Sequence, residues 1–551
     1  LLAGRDQSAV YPAKVEVRSA DVALAVLRAP ILFVAEHQDV PLRVTTTFAL
    51  DRPWSLDPSG AFVGPAMERA VDEERPLQGL VAALGRIDPL VVNLAVSPLL
   101  VEQLGRMADG YTVREGTTLR SVASDEPAAR GAARMLDALA ELARRPGTEL
   151  LSFPYAAPSI PALAAGILAA DLPLQLVRGN RELERALGTA PNDQLIRPPR
   201  GLVDRSSLAA LSQAGVSAVL LDAGRAVAPP RDLGFSPVST GVVTAGSAEL
   251  DGILPSADAT ALLGRARDDP VLGAQVLLGE LAQIYFEEPD QLRGIALLFG
   301  ESELPDPDFA EAFLEGLADA PLLLPVRASE LLDELPPVED LPLVPRPGSR
   351  FSGLYESRIG LARRDIASLR AVIDAPIALP GRLETRVLLA EGAQFLHSEA
   401  SGGVLLGSVT SRVSTELAKI EPPPEGFTVT LASRGGQVPV TIHNGTGYPV
   451  RVRVTLRSNG LVFQEGGSQE RRLTGETDTL RFQATARRGG RFSVDVILTT
   501  PDGSGRLSTS RIVVRSTVYN RVALILTIGA ALFLLVWWGR GVLARRRAAS
   551  G

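Results

Sequence analysis

Between Pro41 and Leu335 the chain repeats one pattern: a short apolar run, a turn, then a stretch of helical periodicity. The apolar runs are Arg43–Leu50, Leu90–Val96, Glu149–Phe153, Gln194–Arg197, Val216–Leu221, Gly252–Leu254, Gly294–Phe299 and Leu322–Val326. Helical stretches such as Pro76–Leu84, Glu126–Arg145, Ser206–Ala214 and Phe309–Leu317 lie between them. Runs this short and continuous suit strands buried on both faces, and strands that alternate with helices pair in parallel. Seven or eight such units predict a (β/α)7-8 barrel over residues 41–335.

The flanks follow other rules. Residues 1–40, with Ala13-Lys-Val-Glu-Val17, read as the end of a β-rich module, and 336–350 as a proline-rich linker. Helical periodicity in Leu354–Ile373, Leu383–His397 and Val404–Ile420 predicts a helical bundle over 351–424, closed by Pro422–Pro424. In Val450–Leu456 the residues Val450, Val452, Val454 and Leu456 share one face, and Arg451, Arg453 and Thr455 the other. Such alternation between turn signals like Asn444-Gly445 and Asp502-Gly503 predicts an immunoglobulin-like β-sandwich over 425–517.

Residues 518–543 contain an uncharged run from Val522 to Trp538, with Trp537 and Trp538 at one end and Tyr519 before the other. It predicts a single C-terminal transmembrane helix, about 20 residues sufficing for about 30 Å of hydrocarbon. The arginines that follow, Arg540 and Arg545 to Arg547, favour a short cytoplasmic tail at 544–551. The expected fold class is therefore multidomain α/β plus all-β with that helix. The expected localisation is the cell membrane, single-pass, with the N-terminal domains extracytoplasmic.

Composition removes several function classes. The absence of cysteine excludes disulfides, iron–sulfur clusters and thiolate zinc sites. His37, His397 and His443 fall in three different regions, so no metal and no cofactor is expected. A net charge of −7 gives no reason to expect nucleic acid as a partner.

Chemistry in a parallel barrel sits where strands end at the mouth. The polar groups there are Asp51, Ser97, Tyr155, Arg197, Arg200, Asp222, Asp258, Glu301 and Arg327. A glycosidase needs two carboxyl groups flanking the scissile bond, one of them kept protonated. The guanidinium groups of Arg197 and Arg200 instead suit a carboxylate, a phosphate or an acidic sugar. Tyr155, Arg197, Arg200, Asp258 and Glu301 are the ligand-binding candidates, and no residue is expected to be catalytic.

The order barrel, helical bundle, β-sandwich resembles glycoside hydrolase families fifty-seven and thirty-eight. Val92–Leu104 resembles the second-strand segment of family fifty-seven, and Pro154–Pro161 its segment with a histidine where Ala157 stands. Leu195–Asp204 resembles its nucleophile strand, with Arg200 in place of the glutamate. The same stretch is similar to the Arg-Pro-Pro-Tyr-Gly element of polysaccharide deacetylases, whose metal motifs have no counterpart here. The whole arrangement, with Gly435–Asn444 opening the sandwich, also resembles an uncharacterised family of actinobacterial membrane-anchored proteins. That resemblance implies cell-envelope assembly, with a lipid-linked precursor flippase as a partner. The expectation is a non-catalytic membrane-anchored protein whose pseudoenzyme barrel binds a cell-wall glycan, an acidic sugar or a protein. The alternatives are an active hydrolase of cell-wall glycan, using carboxylates such as Asp258 and Glu301, and a purely structural adaptor subunit.

Overall fold

A computed structural model describes residues 8–19, 22–35, 40–72, 76–223, 239–262, 268–300, 304–335, 337, 341, 343–344, 348–516 and 521–548. The chain forms two compact units: residues 1–359 with 385–406, and residues 360–384 with 407–551. The stretch 351–424 is thereby divided between them.

The first unit is built on seven parallel strands: β1 (Leu42–Leu50), β2 (Val92–Val96), β3 (Thr148–Ser152), β4 (Asn192–Ile196), β5 (Ala218–Leu220), β6 (Ala248–Ile253) and β7 (Gly294–Gly300). Their spatial order is β6-β5-β4-β3-β2-β1-β7. A parallel bridge between Pro255, just past β6, and Ala296 in β7 joins the two ends, and Ser256 N donates to Ala296 O at 2.9 Å. The sheet thus closes on itself as a barrel, with Thr240–Ala245 added antiparallel to β6. β1 pairs with Leu323–Pro325 along its first residues and with β2 along its last. Six of these strands coincide with apolar runs read from the sequence, while β6 meets the run Gly252–Leu254 only at its last two residues.

The barrel wall is apolar, with Phe48, Phe299, Phe309 and Phe313 buried together. One polar knot crosses it. Asn93 Nδ2 donates to Thr45 Oγ1 at 2.8 Å, and Asn93 Oδ1 accepts from Ala328 N at 2.7 Å. Glu149 Oε2 accepts from Ser329 N at 2.9 Å. The first free N–H groups of helix Ala328–Glu334 are therefore satisfied by the barrel, as buried helix ends require. Leu341, within the expected linker, is buried in a second apolar cluster with Val243 and Leu250, and its N–H donates to Val242 O at 2.8 Å. Leucines between the prolines give that segment an anchor. Ahead of the barrel, Ala9–Ser19 and Val22–Phe33 form an antiparallel hairpin.

The second unit contains two antiparallel-rich sheets around one apolar core. The larger holds β8 (Val450–Arg457), β9 (Ser468–Leu473), β10 (Gly490–Thr499) and β11 (Arg506–Ser516), ordered Thr428–Leu431, β11, β10, β8, β9. The smaller holds Ile420–Glu421, Gly435–Asn444, Thr477–Ala486 and Leu461–Phe463. Along β8 the valines and Leu456 are buried while Arg451 and Arg457 are exposed, following the period-two alternation.

The membrane anchor expected at 518–543 is corrected. Among the described residues no helix is long and apolar enough to cross a membrane. The C-terminal helix runs from Arg521 to Ala548. The single-pass localisation with extracytoplasmic N-terminal domains loses its basis with the anchor. Ile525, Phe533, Trp537 and Trp538 are exposed along this helix.

Candidate functional site

The mouth of the barrel is organised by the segment after β4. Pro198 holds extended backbone, then Arg200 and Gly201 both take left-handed φ, 55° and 54°. Gly201 is obligatory: a Cβ there would lie 2.3 Å from Asp222 N. Asp204 then caps helix Arg205–Gln213, accepting from Ser207 N at 2.8 Å. Burial pushes the Asp204 carboxyl up, but bonds from Ser207 and Ser206 outweigh it and hold the group below its ordinary range.

Arg197 and Arg200, three residues apart, have opposite fates. Arg197 is fully buried; its Nη1 donates to Leu220 O at 3.0 Å and its Nη2 to Asp222 Oδ1 at 3.3 Å. It ties β4 to the end of β5 from inside the wall. Arg200 is exposed at the rim.

Across the mouth, Asp51 follows β1. Burial pushes its carboxyl above the ordinary range, against the opposing influence of Ser97, the Arg52 N–H and the charges of Arg52 and Arg200. Asp51 follows β1 and Arg200 follows β4, so both stand at the C-terminal end of the parallel strands. Asp51 Oδ1 and Ser97 Oγ are buried and lack a partner of ordinary hydrogen-bond geometry among the described residues. Ser97 precedes helix Pro98–Ala108 without capping it, so its hydroxyl remains at the mouth.

Tyr155 is fully buried, and its hydroxyl donates to Glu102 Oε2 at 2.6 Å. Burial pushes its pKa well up, and the Glu102 charge adds to this. Glu102 also accepts from Arg106 at 2.8 Å, and Arg178 lies 5.2 Å over the Tyr155 ring. Tyr155 thus locks the loop after β3 to two helices.

That loop is also covered. Ala157, at φ 47°, accepts at its carbonyl from Ala393 N at 3.2 Å. Ala156 N donates to Gln175 Oε1, whose amide donates in turn to Glu391 Oε2 at 2.9 Å and Leu388 O at 3.0 Å. Gln394 Nε2 donates to Trp54 O at 3.3 Å, in the loop after β1. Residues 391–394 therefore lie over two of the mouth loops.

Of the remaining candidates, Asp258 is exposed in the first turn of helix Ala257–Leu262, and Glu301 lies outside the described residues. Arg327 precedes helix Ala328–Glu334, where Glu330 accepts from the Arg327 backbone N at 2.8 Å and from its Nη2 at 2.7 Å. Glu102, Gln175 and Glu391 were not singled out from the sequence. For Glu102 and Gln175 the signal is a polar residue at an inward position of an amphipathic helix, whereas Glu391 sits in the turn after helix Leu379–Ala390. Among the described residues no cluster of three or more His, Cys, Asp or Glu could hold a metal.

No protein-family model matches the chain, and no curated protein does. Neither comparison supports membership of the actinobacterial membrane-anchored family. Several solved structures show a distant likeness to the chain. An α-amylase from Thermotoga maritima shares 10% identity at a TM-score of 0.48, over 69% of this chain and 94% of that one. A 4-α-glucanotransferase from Thermococcus litoralis shares 12% at 0.44, over 86% and 93%. An exo-type maltose-forming amylase from Pyrococcus sp. ST04 shares 11% at 0.42, over 68% and 74%.

Proposed function

We propose that the barrel mouth is a binding site for an acidic glycan and does not cleave it. The observation that carries this reading is the exposed Arg200 guanidinium at the rim, at the same end of the parallel strands as Asp51. A guanidinium cannot serve as a nucleophile, but it forms strong charge-assisted bonds to a sugar carboxylate. Asp51, whose carboxyl burial pushes above its ordinary range, adds an acceptor for sugar hydroxyls at the same end of the barrel. Asp222, the carboxylate nearest this segment, is already engaged by Arg197.

The test compares pentagalacturonate with maltopentaose by calorimetry, alongside product analysis after long incubation. The charged oligomer should bind more tightly, Arg200→Ala should lose about 10-fold of that affinity, and neither sugar should be shortened. Hydrolysis by the wild type, or unchanged affinity in Arg200→Ala, overturns the reading. One observation favours a second reading, a hydrolase: a carboxyl with raised pKa suits a general acid, so Asp51 would supply the leaving-group proton. Cleavage that Asp51→Asn abolishes would establish it.

A further inference from the structure

The outer face of the larger sandwich sheet is an arginine surface. Cross-strand register places Arg451 opposite Arg472, Arg453 opposite Glu470 and Thr499, and Arg457 opposite Asp495. Thr499 in turn faces Arg506. Residues 425–516 carry thirteen arginines against seven carboxylates, about +6 within a chain of −7.

A groove of about 410 Å³ opens in this face, lined by Arg453, Arg457, Arg506, Thr455, Ser468 and Thr499, with the Gly503-Ser504 turn at its edge. Neutralising groups are few. Arg453 has its nearest carboxylate, Glu470, at 3.8 Å. Asp495, opposite Arg457, is bound by Arg511 at 2.8 Å. Asp502 at the rim is turned onto Thr500 Oγ1 and Ser504 N, bonds that bring its pKa down to about 2. Arg457 and Arg506 form no ion pair or side-chain hydrogen bond among the described residues.

We propose that this groove binds phosphate groups. Three guanidinium groups and three hydroxyls around one cavity offer more donors than a single carboxylate can accept, whereas a phosphate presents several oxygens and up to two charges. Without an anion, the like-charged guanidinium groups of Arg453, Arg457 and Arg506 repel one another across the groove. A bound anion reverses that repulsion.

The experiment uses the full chain, with pyrophosphate as the small probe and long-chain polyphosphate as the polymeric one, each followed by calorimetry at low and physiological salt. Arg457→Ala/Arg506→Ala should weaken pyrophosphate binding at least 10-fold, and Arg506→Glu should do so more strongly. Arg488→Ala, in the turn before β10, should leave it unchanged. Tighter binding of polyphosphate per phosphate identifies a polymer as the natural source, and equal binding a small phosphate ester. Wild-type affinity in the double variant, an equal loss in Arg488→Ala, or no binding of either probe overturns the proposal. Because the groove belongs to the second unit, acidic-glycan binding at the barrel should persist in these variants, so the two readings fail separately.

Discussion

The barrel mouth and the outer sandwich sheet use the same residue for opposite ends. At the mouth, Arg197 is sealed from water and bound through its Nη atoms by Leu220 O and Asp222. On the sheet, Arg457 and Arg506 stand exposed beside a groove. A buried guanidinium must be paired because an unpaired buried charge is unaffordable, so it acts as a structural rivet. An exposed one contributes little to stability and keeps its donors available. Arginine count therefore says nothing about ligand binding until burial divides the set.

The sharpest break between the regions should appear in stability. Arg197→Ala leaves a large cavity and removes the donor on Leu220 O, and should cost about 3–5 kcal/mol. Asp222 is nearly half exposed and can resolvate, so most of the loss is packing and the Leu220 bond. Arg506→Ala should stay within about 0.5 kcal/mol. Hydrogen exchange in β4 and β5, against β10 and β11, would locate each loss. Equal protection changes in the two variants would break the contrast.

A smaller effect is expected at Tyr155. Tyr155→Phe withdraws the donor from buried Glu102, which keeps Arg106, and should destabilise by about 1–2 kcal/mol. Denaturant midpoints measure it, and no shift would mean the hydroxyl is dispensable to the loop.

The pH response of the barrel should carry the mark of Asp51. Its folded pKa is raised, so the native state holds a proton that the unfolded chain releases. That contribution is fully present below the unfolded value and is lost as pH rises through the folded one. Asp51→Asn should therefore stabilise the barrel at neutral pH and flatten its loss of stability above the acidic range. Thermal melts across pH that superimpose for the two proteins would show the carboxyl to be ionised and well solvated.

Much of this architecture is legible in the sequence because it rests on local pattern. Six of the seven barrel strands lie on the apolar runs, and the Val450–Leu456 alternation gives the buried and exposed faces of β8. What escapes is long-range or conformational. Glu102 meets Tyr155 across 53 residues, and Gln175 meets Glu391 across 216. No periodicity relates such partners. Arg197 and Arg200 look equivalent in Leu195–Gly201, and only the fold turns one inward and the other out. The run from Val522 to Trp538 read as a membrane span from composition, whereas the described helix falls short of one.

The smallest predicted effect separates the ligand role of Arg200 from its backbone. A non-glycine residue at φ 55° carries about 1 kcal/mol of conformational strain. Arg200→Gly should relieve it, while also widening the unfolded ensemble, which offsets part of the gain. The net should be a slight stabilisation of the barrel, well under 1 kcal/mol, accompanied by the loss of acidic-glycan affinity expected for Arg200→Ala. Stability rising as binding falls is the signature of a strained residue retained for its side chain. If Arg200→Gly instead destabilises as Arg197→Ala does, the rim arginine belongs with the rivets, and the division between the two regions no longer runs along burial.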